Sequence, residues 1–414
     1  MVLASPALED ETMPDGITSK LLSLKVRGDK RLPREGISRI LVRGTNWIGD
    51  AVMTLPAVAA IRRTWPEAEI SVLAKPWVAD IYGEGSAVDR VLIFEEPGCH
   101  AGPMGKLRLA EELRRGRFQM AILLQNAIEA AIIARLAGIP IRAGYDTDAR
   151  GWLLTHAVHR TRAIRRVHQI DYYREMVKAL GCVDAGRDHP LKLRPDTAVL
   201  ADKRLPPPVA KENAFLIGMA PGATYGPAKR WPAEHFAAVA GELQRRYTEA
   251  LLLLFGSRPD REVTDKIATA LPERVLNLAG ETTIREVMAL IARCQVFLTN
   301  DSGLMHIAGA LNVPTVAIFG STNPVTTSPP GTGNIIIRKP VDCSPCLKTV
   351  CPTDFRCMNL IGVEEVAEAV CRFIENRYPS EREAPDRSRT AATGSCRSAE
   401  EGISPPRRGC REGV

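Results

Sequence analysis

Short apolar runs alternate with helical stretches in two series along the chain, and this alternation narrows the fold more than any other feature. Runs rich in Ile, Leu and Val fall at 39–43, 69–74, 91–94 and 120–124, with helical spacing between them. The first helical stretch runs from about residue 50 to 64 and is closed by Pro66. Strands joined through helices run parallel, and a parallel sheet is covered by helices on both faces. The second series has runs at 215–219, 251–255, 275–278, 296–299 and 315–319, with helical stretches at about 233–247, 260–270, 283–293 and 303–311. The polar, proline-rich stretch 194–211 divides the two and reads as a linker. A chain of 414 residues is too long for one ordinary core. The expectation is an α/β protein of two facing, Rossmann-like, doubly wound domains, 37–195 and 196–378. A leader, 1–36, with one short helix near 20–26, and a tail, 379–414, have compositions that bury little and are expected to be disordered.

Composition removes several classes of function. The charge of +7 comes from 55 basic and 48 acidic residues, less than a nucleic-acid binder concentrates. No apolar stretch reaches the roughly 20 residues that span a bilayer, so no transmembrane segment is expected. The acidic N-terminal stretch lacks the basic and apolar regions of a secretory signal, which points to the cytoplasm. Ten cysteines in that compartment read as thiols or metal ligands rather than a disulfide framework.

Ligands of doubly wound sheets bind at the carboxyl ends of the strands, where loops leave for the helices. Gly44-Thr45-Asn46-Trp47-Ile48-Gly49-Asp50 is such a loop. Gly49 permits close approach of a ligand to the backbone. Asp50 stands at a helix start, either as a general base toward an acceptor hydroxyl or as a helix cap. Pro221-Gly222-Ala223-Thr224-Tyr225-Gly226-Pro227-Ala228-Lys229-Arg230-Trp231-Pro232 is the second loop. Gly222 turns it, Thr224 can donate to phosphate, and Lys229 can stabilise a departing diphosphate. The bland alternative is a surface turn with a solvated Lys-Arg pair.

A third turn, Asn300-Asp301-Ser302-Gly303-Leu304-Met305-His306, leaves another strand. Asp301 or Ser302 caps a helix whose N–H groups at Ser302 and Gly303 form an anion site. His306, one turn on, either donates to a phosphate or is an interior histidine. After the run at 251–255, Asp260 and Glu262 are candidates for ribose hydroxyls or first-turn acids facing the helix dipole. Cys343, Cys346, Cys351 and Cys357 cluster in a spacing that matches no standard finger, and read as a zinc or iron–sulfur site or as reduced thiols. Arg135, Arg142, Arg150, Arg160, Arg162, Arg165 and Arg166 form a basic stretch, suited to an anionic acceptor, an anionic leaflet, or a solvated face.

With these words read, the chain resembles the lipopolysaccharide heptosyltransferases of the glycosyltransferase family nine type, and their type II branch most closely. The resemblance rests on Gly49-Asp50 with Thr54-Leu55-Pro56-Ala57, on Gly226-Pro227-Ala228-Lys229-Arg230-Trp231-Pro232, and on Asn300 to His306, and covers about 37–377. It implies a GT-B fold and an inverting transfer that requires no cofactor. The implied donor is ADP-L-glycero-β-D-manno-heptose, and the implied acceptor is the first heptose of the inner core on Kdo-lipid A, reached at the inner membrane face. By the same resemblance Asp50 matches the base, Lys229 the diphosphate lysine, and Ser302, Gly303 and His306 the donor phosphate site, with Asp260 at the ribose. The cysteine segment belongs to only some members of the family.

Overall fold

The computed structural model describes residues 3–4, 24–84, 87–188, 190–207, 214–271 and 273–377. The expected tail lies outside these residues, as do residues 5–23 of the leader. The N-terminal sheet comprises β1 (Arg39–Arg43), β2 (Glu69–Ala74), β3 (Arg90–Ile93), β4 (Met120–Leu123), β5 (Ile141–Tyr145) and β6 (His156–Val158). Its order is β3-β2-β1-β4-β5-β6, all parallel. The helices α1 (Ile48–Thr64), α2 (Pro76–Gly83), α3 (Gly102–Arg115), α4 (Ile128–Leu136) and α5 (Gln169–Ala179) connect and cover it. The core of β1, Ile40-Leu41-Val42, is buried throughout, as a central strand covered on both faces must be.

The C-terminal sheet repeats the plan. β7 (Leu216–Ala220), β8 (Leu251–Leu254), β9 (Val275–Asn277), β10 (Val296–Asn300), β11 (Thr315–Phe319) and β12 (Asn334–Arg338) stand in the order β9-β8-β7-β10-β11-β12, all parallel. Leu3–Ala4 adds antiparallel to β12 at the outer edge. The connecting helices are α6 (Ala233–Arg246), α7 (Arg261–Thr269), α8 (Ile284–Ile291) and α9 (Gly303–Ala310), and α10 (Val363–Arg377) follows. In each sheet the strand order reverses beside the first strand, between β1 and β4 and between β7 and β10. That crevice is where a doubly wound sheet takes its ligand.

Both sheets lie within one compact unit ending at Ile374, and of the second unit, Glu375–Val414, only residues 375–377 are described. The unity has a physical basis. One apolar cluster contains Val42, Ala51 and Tyr173 of the first half together with Phe297, Ile307 and Ala308 of the second. α1 and α9 are apolar on nearly every side because each packs against both its own half and the facing one.

Three expectations change in the structure. The end of the expected leader is ordered: Val26 and Leu32 are buried, Leu32 N donates to Leu180 O, and Val26 pairs with Val158 as extended chain where a helix was expected. The expected linker is a packed joint. Glu84, at the end of α2, accepts from Arg194 N at 2.7 Å and Thr197 Oγ1 at 2.6 Å, while Arg285 of α8 holds Asp196 at 2.7 Å. The basic stretch is split. Arg142 and Arg150 are buried and donate to carbonyl oxygens, Arg142 to Leu153 O and Arg150 to Tyr145 O, each at 2.8 Å. Arg162, Arg165 and Arg166 are exposed.

Candidate active site

The first loop leaves β1 and turns into α1. Gly44 is required there, because a Cβ would lie 2.8 Å from the Tyr82 ring. Tyr82 Oη accepts from Thr45 N at 3.2 Å and bonds Thr54 Oγ1 at 3.0 Å, so the loop is held against α2. α1 begins at Ile48 after Trp47, which makes no side-chain cap. Asp50 is therefore in the first turn and not at the cap, which leaves its carboxylate for other work. It is half-buried at the crevice, and burial pushes its pKa up to about 6 against the opposing pull of the Lys229 ammonium. The lysine comes from the other half, so the two loops share one electrostatic environment. The Tyr173 hydroxyl of α5 lies in the same environment: burial, and next the Asp50 charge, raise its pKa well above the ordinary value.

The second loop leaves β7. Asn300, the last residue of β10, binds it at two points: its Nδ2 donates to Pro221 O at 2.7 Å and its Oδ1 accepts from Trp231 N at 3.1 Å. Trp231 is buried and donates through Nε1 to Ile361 O at 3.2 Å, anchoring the far end. Between these anchors Lys229 turns inward, away from bulk solvent, which disposes of the solvated-pair alternative. Its Nζ lies 2.6 Å from Asp301 Oδ2, an oxygen that also accepts from Thr322 Oγ1 at 2.5 Å. Thr224 is exposed at the tip of the loop.

The third turn starts α9, and Ser302 is its cap, accepting from Met305 N. Asp301 is not the cap; it is the lysine's partner. The start of α9 abuts the start of α1. A Cβ on Gly49 would lie 2.6 Å from His306 Cδ2, and one on Gly303 would lie 2.8 Å from Ile48 Cβ. Two helix N-termini therefore meet at one place, and their unpaired N–H groups and dipoles favour an anion there. His306 is buried, its pKa pushed down to about 4 by burial, and its Nδ1 has no hydrogen-bond partner among the described residues. It is a neutral imidazole held against Gly49.

Not every expected residue joins this centre. Asp260 is buried beneath Gly222, whose Cβ would lie 2.4 Å from its carboxyl carbon. Its Oδ2 accepts from Ser257 N at 2.9 Å, and its Oδ1 from Arg230 Nη2 at 3.1 Å. Both oxygens are thus engaged inside the protein, so the place expected for a ribose contact is that of a buttress under the lysine loop. Glu262 is exposed and pairs with Lys266. Cys343, Cys346, Cys351 and Cys357 line one cavity of about 120 Å³, but among the described residues no three His, Cys, Asp or Glu side chains are grouped to hold a metal ion. Sequence reasoning missed Thr322, Tyr173, the partnership of Asp301 with Lys229, and Tyr225, whose ring lies 4.8 Å beneath the Lys229 ammonium. Thr322, Tyr173 and the Asp301 partnership have no local signal, since each acquires its place from a distant element, whereas Tyr225 stands in the same loop as Lys229.

Comparison with known proteins places the chain in a family. Residues 106–355 match the protein-family profile described as Glycosyltransferase family 9 (heptosyltransferase). The chain is 34% identical over 310 residues to lipopolysaccharide heptosyltransferase 2 of Salmonella typhimurium, covering 70% of this chain and 85% of that one. It is 35% identical over 315 residues to lipooligosaccharide heptosyltransferase 2 of Haemophilus influenzae, covering 72% and 88%. Among solved structures it is similar to the E. coli ADP-heptose LPS heptosyltransferase II, with a TM-score of 0.68 and 27% identity over 82% of this chain and 99% of that chain.

Proposed function

Because the chain belongs to glycosyltransferase family 9, the heptosyltransferases, we propose that its crevice moves heptose from ADP-heptose onto the first heptose of the lipopolysaccharide inner core. One observation carries the reading. An aspartate from the first half and a lysine–aspartate pair from the second share one environment where two helix N-termini meet. The half-buried carboxylate of Asp50, with its pKa near 6, is ionised at neutral pH and still basic enough to take the proton of an acceptor hydroxyl. The hydroxyl oxygen bonds to the anomeric carbon as the bond to ADP breaks, and attack from the opposite face inverts that centre. Charge then develops on the diphosphate. The Lys229 ammonium and the N–H groups at Ser302 and Gly303 are the groups assigned to stabilise it. Asp301 and Thr322 hold the ammonium in that place, and Thr224 stands at the loop tip to donate to a phosphate oxygen. Asp260 is assigned the support of the Gly222 turn.

Among the described residues no helix is long and apolar enough to cross a membrane. The proposed acceptor, heptosyl-Kdo2-lipid A, is embedded in a bilayer. The enzyme then works as a peripheral protein on the cytoplasmic face of the inner membrane. No step is assigned to a metal at the four cysteines, because in the proposed mechanism the positive charge comes from Lys229. Metal analysis of anaerobically purified protein checks this, and a stoichiometric zinc or iron lost in a Cys343→Ser/Cys346→Ser double variant would reverse it.

The deciding experiment measures ADP release with two acceptors. Turnover with ADP-heptose and heptosyl-Kdo2-lipid A, and none with Kdo2-lipid A, is the expected result. The reverse preference would assign the chain to the first heptose transfer, and ADP binding without turnover on either acceptor would remove the catalytic reading. In the same assay Asp50→Ala abolishes transfer with ADP affinity nearly unchanged, whereas Lys229→Ala weakens donor binding and slows transfer.

A further inference from the structure

The segment bearing Cys343, Cys346, Cys351 and Cys357 takes no part in the chemistry above, yet it touches the middle of the lysine loop at Tyr225, Gly226 and Ala228. Thr349 O accepts from Ala228 N at 3.0 Å. Gly226, at φ +154°, passes so close to the same carbonyl that a Cβ would lie 2.4 Å from it. The Tyr225 hydroxyl donates to Leu347 O at 2.7 Å. Ala228 itself lines the cysteine cavity.

The other side of the segment is fixed to the loop that follows β11. Leu347 N donates to Ser321 O at 2.7 Å, and Ser344 Oγ donates to Gly320 O at 2.6 Å. Leu347 adopts φ +57°, an unfavourable angle for a branched side chain, held by its bonds on both sides. The next residue of the β11 loop, Thr322, bonds the same Asp301 oxygen that holds Lys229. The segment is therefore fastened both to the loop that carries Lys229 and to the loop that helps hold its carboxylate partner.

We propose that the cysteine-rich segment is a clamp that aims Lys229 at the donor diphosphate, and that Tyr225 is the positioning residue through which it acts. This rests on the reading of Lys229 as the diphosphate lysine. Tyr225 is suited to the task by having two ends. Its hydroxyl is tied to the clamp, and the face of its ring sits 4.8 Å from the ammonium, within cation–π range. A long lysine side chain with several rotatable bonds is thereby directed before the donor arrives, which lowers the entropy lost on binding.

Donor and acceptor kinetics of two variants test the proposal. Tyr225→Phe keeps the ring and loses the tie to Leu347 O; Tyr225→Leu loses both. The expected result is a graded rise in donor KM, about fivefold for the phenylalanine and about tenfold or more for the leucine, with acceptor KM unmoved. A donor KM for Tyr225→Leu within twofold of the native value overturns the proposal. Lys229→Ala in the same series separates the two failures. If it is impaired while Tyr225→Leu is not, only the clamp is wrong; if it too behaves as native, the reading of Lys229 falls and the clamp with it.

Discussion

Asp50 is the residue on which the proposed chemistry turns, and its titration makes two consequences measurable. A base with a pKa near 6 must be ionised to accept a proton, so kcat/KM should fall as pH drops through about 6. A profile flat down to pH 5 would remove Asp50 as the base. The stability consequence has the opposite sense. The folded value lies above the ordinary carboxylate value of 3.8, so the native state binds the proton more tightly than the unfolded chain does. Ionised Asp50 thus costs stability, increasingly as pH rises from about 4 to 6 and fully above that. Asp50→Asn should be inactive yet more stable at pH 8 by up to about 3 kcal/mol, with the advantage gone below pH 4. Urea unfolding at the two pH values checks this, and equal stability at pH 8 would show that the carboxylate is better solvated than its position indicates. The sequence identified Asp50 but left it between cap and base. The distinction needed the start of α1, set by Trp47 and Ile48, and the desolvation delivered by the facing half. His306 was likewise ambiguous, and only its contact with Gly49 made it a neutral interior imidazole at the site.

Among elements, α1 and α9 are decisive because their first turns abut. Gly49 and Gly303 are the positions where the two helices come closest. Gly303→Ala must push Ile48 away, and overpacking of this kind typically costs about 1–3 kcal/mol. The expected outcome is a kcat/KM lower by tenfold or more with a modest drop in melting temperature. Gly83→Ala, with open space where its Cβ would go, should leave both unchanged and serves as the control. Native kinetics in Gly303→Ala would show that the contact of the two helices is not needed for transfer. Most strands were legible from their apolar runs, since central parallel strands are buried on both faces. β5, β6 and β12 were not read as strands. β5 contains Arg142 and Gly144, β6 has three residues, and both fall in a basic stretch that looked like solvated surface. The Ile335-Ile336-Ile337 run of β12 was readable, but the connection before it holds only the four-residue helix Pro324–Thr327 in place of a full crossover.

The molecule as a whole joins its two sheets more closely than a pair of linked domains would. One apolar cluster crosses between them, Glu84 of the first half and Arg285 of the second both bond the connecting chain, and His168 Nε2 of the first half bonds Ser328 O of the second at 3.0 Å. Calorimetry should therefore show a single unfolding transition, displaced upward as a whole by ADP, with about 2.7 kcal/mol gained at a hundredfold excess over Kd. Two transitions, only one of them shifted by ADP, would mean that the halves unfold independently. The sequence by itself determined that there are two parallel sheets, that the glycine- and lysine-bearing loops leave their carboxyl ends, and, through the lysine and aspartate words, the family. These are properties of neighbours along the chain, and periodicity and turn chemistry record them directly. The tertiary structure alone decided that Lys229 meets Asp301, that Gly49 meets His306, that Asp260 is a buttress, and that the cysteine segment grips Tyr225. Such pairings depend on packing between elements far apart in sequence, and the pKa values follow from the water and charge that this packing removes or supplies.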